Sequence, residues 1–245
     1  MSEGAHTTDA PITTATGRFV VIMPAYQEVR HIAEGVRALR GADAVVVVVD
    51  DGSTDGTAEA AEAAGAVVLR HAENRGKGVA LSTGFAWARE RGANAVVTMD
   101  ADGQHDPAEV PRFLETYQRT GIPVLVGNRM WHPRGMPPIR RWTNRFMSRV
   151  LSRKMGQYVP DTQCGFRLYR CDLLPFVEAH YAGFAAESEI LLHVAACGIR
   201  IGSVRIATIY RGEKSSISPL RDTFRFFRML LAHHAQRARR PWRSS

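Results

Sequence analysis

Short β-branched runs alternate with amphipathic stretches from Arg18 onward. RFVVIM (18–23) reads as a strand. A helix follows over roughly 28–40, with Ile32, Val36 and Leu39 on one face at helical spacing. AVVVVV (44–49) is apolar without alternation, the pattern of a strand covered on both faces. Next come a helix over 55–64, a strand at AVVLR (66–70), a helix from Lys77 to Arg91 and a strand at NAVVTM (94–99). A further helix holds Pro107 in its first turn and leads to a strand at PVLVGN (123–128). Strands separated by helices of this length predict βαβ units, and so an α/β fold with a mostly parallel sheet flanked by helices. Beyond residue 130 the alternation loosens. Pro133, Pro137 and Pro138 precede a basic helix over 139–154, CGFRLYR (164–170) is extended, AAESEILLHVAACG (185–198) is a helix closed by Gly198, and IRIGSVRIATIY (199–210) is strand-like.

Ligands of such sheets bind beyond the carboxyl ends of the strands. The polar signals collect there: Pro24-Ala25-Tyr26 after the first strand, Asp50-Asp51-Gly52-Ser53 after the second, Asp100-Ala101-Asp102 after the fourth. Asp100 and Asp102, with Gln104 two further on, can aim oxygens at one point. Hard oxygen donors favour Mg²⁺ or Mn²⁺, and a small protein donor set leaves positions open for a diphosphate. The competing account is an Asp-rich turn that caps the helix at Pro107. In VVDDGSTDGT (48–57), Asp50 or Asp51 can accept hydrogen bonds from a base or ribose, while Ser53 and Asp55 suit capping of the next helix. NRGKG (74–78) sets Lys77 and two glycines at a helix start, where a donor phosphate can sit; an ordinary loop explains it equally well. GxxxxGK[ST] is missing, and no GxGxxG follows the first strand, which counts against a P-loop site and a nicotinamide dehydrogenase.

Composition narrows this further. The 245 residues are 45% hydrophobic and 23% charged, which excludes a disordered chain, a disulfide scaffold and a collagen-like repeat and leaves room for one sizeable core. The net charge of +8 is unevenly spread: residues 129–154 hold +8 with no acid, residues 219–245 hold +6, and the rest of the chain is left at −6. Such asymmetry points to anionic partners at defined places. Cys164, Cys171 and Cys197 lack zinc-ligand spacing and suit a reducing compartment. Residues 1–17 lack the basic and apolar regions of a secretory signal and read as a flexible arm. No apolar run approaches the roughly 18 residues of a membrane-spanning helix. The main domain spans 18–218. In the tail, 219–245, Leu220, Phe224, Phe227 and Leu231 fall on one helical face beside Arg221, Arg225 and Arg228. A basic amphipathic helix of that kind lies in an anionic membrane interface through 219–242, or packs on its own domain or a partner.

Seven strings occur in order: VIMPAYQE, VVDDGSTDGT, NRGKGVALSTGF, TMDADGQHDP, VGNR, DTQCGFRLYR and ESEILLHVAACG. They resemble the inverting family 2 glycosyltransferases, and more narrowly the dolichol-phosphate and other polyprenyl-phosphate glycosyltransferases. The resemblance covers most of residues 18–218 and implies a GT-A fold, a nucleotide-sugar-binding α/β sheet followed by an acceptor-binding half. It implies that Pro24, Tyr26 and Glu28 line the nucleotide pocket and that Asp50 and Asp51 contact base or ribose. Asp100 and Asp102, across Ala101, would hold the metal on the donor diphosphate with Gln104 assisting. Arg211 and Lys214 would lie near the donor phosphates, and Arg129 of VGNR would face the acceptor. Glu187 and Glu189 stand where relatives place an acidic residue. The QxxRW string of polymerising synthases is absent, since CGFRLY follows Gln163, and so is the C-terminal transmembrane pair of some relatives.

The reaction implied is inverting, metal-dependent transfer from a UDP- or GDP-linked sugar to a polyprenyl phosphate. A leaving nucleoside diphosphate needs a divalent cation, here centred on Asp102, and nearby Lys or Arg. A phosphate acceptor is already ionised and needs a basic cradle rather than a base. Arg129, Arg140, Arg141 and Arg145 are the candidates, with Asn144 as a neutral donor; a solvated basic helix is the plain alternative. A saccharide hydroxyl acceptor would depend instead on Glu187 or Glu189 as base. A nucleotidyltransferase would carry a Gly/Arg-rich loop where PAYQE stands, and no zinc finger, helix-turn-helix or aromatic RNA-binding string supports a nucleic-acid partner. A non-catalytic nucleotide-sugar binder agrees less well with the intact carboxylate set. The expected location is peripheral, on the cytoplasmic face of the membrane, with a membrane protein or a second copy as a further partner.

Overall fold

The computed structural model describes residues 18–40, 42, 44–133, 135–177, 184–207 and 209. The N-terminal arm, Arg211, Lys214 and the basic tail lie outside the described residues. The elements are β1 (Phe19–Ala25), α1 (Ile32–Leu39), β2 (Val45–Asp50), α2 (Thr57–Ala64), β3 (Val67–Arg70), α3 (Lys77–Glu90), β4 (Ala95–Thr98), α4 (Val110–Thr120), β5 (Val124–Asn128), α5 (Pro138–Met155), β6 (Arg167–Arg170), α6 (Phe184–Ala196) and β7 (Ile201–Arg205). One seven-stranded sheet has the order β3-β2-β1-β4-β6-β5-β7. Pairing is parallel except at β6, which runs antiparallel to both β4 and β5.

The apolar runs explain the layers. Val46–Val49 in β2, Val20–Met23 in β1 and Val124–Val126 in β5 are all buried, as the absence of alternation requires for strands sandwiched by helices. Ile32, Val36 and Leu39 bury the inner face of α1. That helix starts later than its periodicity suggests, because Glu28 first closes a turn by accepting from the His31 and Ile32 amides. At Pro107 a single 3-10 turn precedes α4, and the Asp106 carboxylate caps it by accepting from the Ala108 amide at 3.0 Å. Capping there falls to Asp106, so Asp100 and Asp102 are not needed for it. The strand-like run at 199–210 contracts to β7.

The reversal of β6 sets up the site. Thr98 at the end of β4 pairs with Arg167 at the start of β6, and the Thr98 hydroxyl donates to the Gly165 carbonyl at 2.8 Å. The 161–166 segment is thereby laid beside the carboxyl end of β4.

Candidate active site

Three loops at the carboxyl edge of the sheet are tied to one another before any chemistry begins. After β1, the amides of Gln27, Glu28 and Val29 donate to Ser53 Oγ (2.9 Å), Thr57 Oγ1 (2.8 Å) and Asp55 Oδ2 (3.2 Å) of the loop after β2. Asp55 also accepts from the Thr57 amide at 3.0 Å, but it is not the cap of α2, whose N-cap position is Gly56 with no side-chain cap bond. Ser53 does not cap α2; its hydroxyl serves the Gln27 amide. Asp51 reaches the third loop. It accepts from the Arg75 amide (3.0 Å) and the Gly76 amide (2.7 Å) and sits 2.6 Å from His71 Nδ1, whose other ring nitrogen lies 3.0 Å from Thr83 Oγ1. The amides of NRGKG that face an anion therefore face an internal carboxylate, and what this loop offers a ligand is the Lys77 side chain. Asp50 and Asp51 are both buried, and Asp50 accepts from the Ser53 amide at 3.3 Å. Pro24 and Glu28 are half-buried, while Tyr26 is exposed on the same rim.

Lys77, the first residue of α3, aims Nζ at Asp100 Oδ1 (2.5 Å) and at Glu187 Oε1 (2.6 Å) on α6. Glu187 comes from 110 residues further along the chain. Its other oxygen, Oε2, is buried and has no hydrogen-bond partner among the described residues. His105 Nε2 lies 3.7 Å from Asp100 Oδ2, its ring packed on Phe166 with centroids 5.2 Å apart. Burial alone would raise the Asp100 carboxyl, but Lys77 and His105 outweigh it and hold the group well below the ordinary carboxylate range. Asp102 moves the other way: burial raises it, and the Asp100 charge beside it raises it further, against the Gln104 amide that donates to Oδ1 at 3.0 Å. Burial works against the Lys77 ammonium, yet the two carboxylates keep it charged. Ala101 is buried beneath this turn and Gln104 is half-buried.

These residues fit a hard divalent cation. A positive group already rests on Asp100, Asp102 stands next to it, and every nearby side-chain donor but His105 is an oxygen. Among the described residues no group of three or more His, Cys, Asp or Glu side chains is placed to hold a metal ion, so Asp100 and Asp102 would be the carboxylates available to one. Gly165 closes the cluster from below. A Cβ there would stand 2.7 and 2.8 Å from the two Asp100 oxygens and 2.9 Å from Glu187 Oε1.

Glu189 is buried too, but two residues on it points about 200° round the helix from Glu187, and the structure does not bring it to Lys77 or Asp100. Arg129 is buried, not presented to solvent: its guanidinium grips Asp161 through Nε (2.7 Å) and Nη2 (3.0 Å). On α5, Asn144 is buried, Arg140 and Arg141 are half-buried, and Arg145 is exposed. Arg145 lines a cavity of about 240 Å³ with Arg149, Asn128, Trp131 and Tyr158. Arg149, Trp131 and Tyr158 carried no motif; the first lay inside the basic run, and the helical spacing from Arg145 was the available signal. Arg167 carries no such signal. It is buried, with its guanidinium donating to the carbonyls of Cys164 (2.7 Å), Thr162 (2.9 Å) and Glu187 (2.7 Å), and so fixes the start of α6 against the 161–166 segment.

Residues 20–176 match the model of glycosyl transferase family 2. The chain belongs to glycosyl transferase family 2. This family 2 glycosyltransferase is 30% identical over 208 residues to an undecaprenyl-phosphate mannosyltransferase of Micrococcus luteus, covering 79% of this chain and 84% of that one. It is also 30% identical over 213 residues to a UDP-N-acetylglucosamine–dolichyl-phosphate N-acetylglucosaminyltransferase of Methanococcus voltae, covering 78% and 85%. Among solved structures it is similar to glucosyl-3-phosphoglycerate synthase of Mycobacterium tuberculosis, crystallised with Mn²⁺, UDP-glucose and phosphoglyceric acid: TM-score 0.67, 21% identity, 90% of this chain and 80% of that one. That likeness concerns the fold, and it makes the transferase a GT-A protein. Among the described residues no helix is long and apolar enough to cross a membrane.

Proposed function

We propose that this glycosyltransferase moves a sugar, with inversion, from a UDP- or GDP-linked donor to a polyprenyl phosphate at the membrane surface, using Mg²⁺ or Mn²⁺. The observation that carries the reading is the meeting of Asp100, Lys77 and Glu187 at the carboxyl end of β4, with Asp102 close enough to feel the Asp100 charge. Asp100 is kept ionised and Lys77 positively charged, the arrangement a diphosphate leaving group requires. A bound divalent cation would neutralise the charge that develops on the nucleoside diphosphate. Asp100 and Asp102 would hold it, with Gln104 beside them, and Lys77 would turn to the diphosphate oxygens. The names of the two curated relatives, both transferring to a lipid phosphate, support the acceptor class.

The cavity lined by Arg145 and Arg149 suits a phosphate head group. Arg129, locked on Asp161, sits in the chain between two lining residues, Asn128 and Met130, without lining the cavity itself. The outer face of α5 supports a peripheral membrane position. Ile139, Trp142 and Phe146 are exposed at i, i+3 and i+7, and the Trp142 and Phe146 rings stack with centroids 5.7 Å apart. Exposed Arg145, Arg149 and Arg153 flank them. Aromatic and aliphatic groups beside cations suit an anionic bilayer surface. A saccharide hydroxyl acceptor is the second reading, favoured by the buried Glu187 carboxylate, which could take the hydroxyl proton.

Purified protein incubated with a panel of UDP- and GDP-sugars, Mn²⁺ or Mg²⁺ and a short polyprenyl phosphate should yield a glycosyl phospholipid identifiable by mass. EDTA and Asp102→Ala should each abolish it. Transfer that survives either would overturn the metal role, and a product confined to saccharide hydroxyls would overturn the acceptor.

A further inference from the structure

We propose that the Lys77 ammonium is a resident counter-cation of the metal-free site, which gives up Asp100 when a divalent ion arrives and is thereby released toward the donor diphosphate. The inference rests on the metal-and-diphosphate reading above and adds an order of events to it. Lys77 spans two carboxylates at hydrogen-bond distance, Asp100 Oδ1 at 2.5 Å and Glu187 Oε1 at 2.6 Å. The two ends of this bridge differ. The Glu187 side chain is 4% exposed and that of Asp100 is 25% exposed, so an ion from solvent meets the Asp100 end first.

Asp100 and Glu187 meet on the single ammonium of Lys77, with the Asp102 carboxyl beside Asp100. Without a metal the ammonium is therefore what allows Asp100 and Glu187 to share so small a space over Gly165. A divalent ion on Asp100 replaces that service and repels the ammonium at the same oxygen. The backbone beneath Lys77 cannot follow, since Asp51 holds the Arg75 and Gly76 amides. What moves is the side chain, pivoting on the start of α3. The same lysine thus opposes the metal in the empty site and assists the diphosphate in the loaded one, and removing it should affect the two ligands in opposite directions.

The test is Mn²⁺ titration of wild type and Lys77→Met without nucleotide, followed by electron paramagnetic resonance, and then UDP and GDP titration at saturating Mn²⁺. Lys77→Met should bind Mn²⁺ roughly tenfold more tightly, one like charge having gone from contact range, while the preferred nucleoside diphosphate binds several-fold more weakly. Equal or weaker Mn²⁺ binding by a folded Lys77→Met protein, as judged by its thermal melt, would overturn the inference and leave the metal reading standing. Wild type that binds no Mn²⁺ would overturn both. A measurement on the wild-type chain covers a variant that fails to fold. In protein carrying ¹³Cε-lysine, the Lys77 signal, the one missing from Lys77→Arg, should shift when Mg²⁺ binds without nucleotide; a signal that stays in place while Mg²⁺ binds would overturn the inference.

Discussion

At Gly165 the absence of a side chain is what lets Asp100 and Glu187 come so close to the backbone. A methyl group there would press on Asp100 and Glu187 within 3 Å, and both carboxylates are held by Lys77 with little room to yield. Gly165→Ala should cost about 1–3 kcal/mol in stability, the usual range for a forced fit in a packed site. It should lower transfer by more than tenfold, roughly the effect of about 1.4 kcal/mol lost at the reacting geometry. Urea unfolding and initial rates check both; an Ala variant with wild-type rates would show the cluster to be slack. The cysteines are free and buried. Burial pushes the thiols of Cys164 and Cys171 up to about 12 from 9.0. A raised thiol pKa contributes stability that is fully present below pH 9.0 and is lost as the pH climbs from there toward about 12. Ellman's reagent at pH 8 should react slowly with the native protein and promptly after denaturation, and rapid native labelling would contradict the burial. Asp100, Asp102 and Lys77 were legible in the sequence because each sits in a short string with its own turn chemistry. Gly165, Asp161 and Arg167 were not: their partners are 65, 32 and 20 residues distant, and nothing local marks a residue whose purpose is a distant neighbour.

Among the elements, the α3 start and β6 do most to position the chemistry. The Asp51 carboxylate takes the place an anionic ligand would have at NRGKG and locks that loop to β2. Asp51→Ala would strand the Arg75 and Gly76 amides and the His71 ring nitrogen, at a cost of about 1–3 kcal/mol, and the nucleotide should bind more weakly because Lys77 loses its fixed base. Thermal melts with calorimetric titration of the nucleoside diphosphate test this, and unchanged affinity in a destabilised protein would separate the loop's stability from its role. The parallel elements were legible because β-branched runs and helical spacing are local properties. The direction of β6 was not. RLYR reads as extended either way, and its antiparallel seat between β4 and β5 is decided by pairing to strands distant in sequence. The expected caps fail for a related reason: Ser53 and Asp55 hold the loop after β1, and Gly56 stands at the N-cap of α2.

For the whole molecule, the charge division gains a direction. The carboxylates gather at the carboxyl edge of β4, while the exposed cations and aromatics of α5 share one helix. Ile139→Ser, Trp142→Ser and Phe146→Ser together should leave the melting temperature almost unchanged, each site being exposed. The triple variant should float less with vesicles containing anionic lipid. Flotation equal to wild type would remove α5 from the membrane contact and leave the tail beyond Pro219 as the candidate. The order β4-β6-β5 carries a different consequence. β6, which follows both in the chain, is seated between β4 and β5, so the chain up to β5 cannot complete its sheet without the segment that comes after it. Amide protons of β4, β5 and β6 should then exchange through one shared opening. A molecule joined in this way cannot be cut between β4 and β5 into two self-sufficient pieces, and stiffening at the proposed donor site would reach the proposed acceptor cavity through the backbone hydrogen bonds of β6.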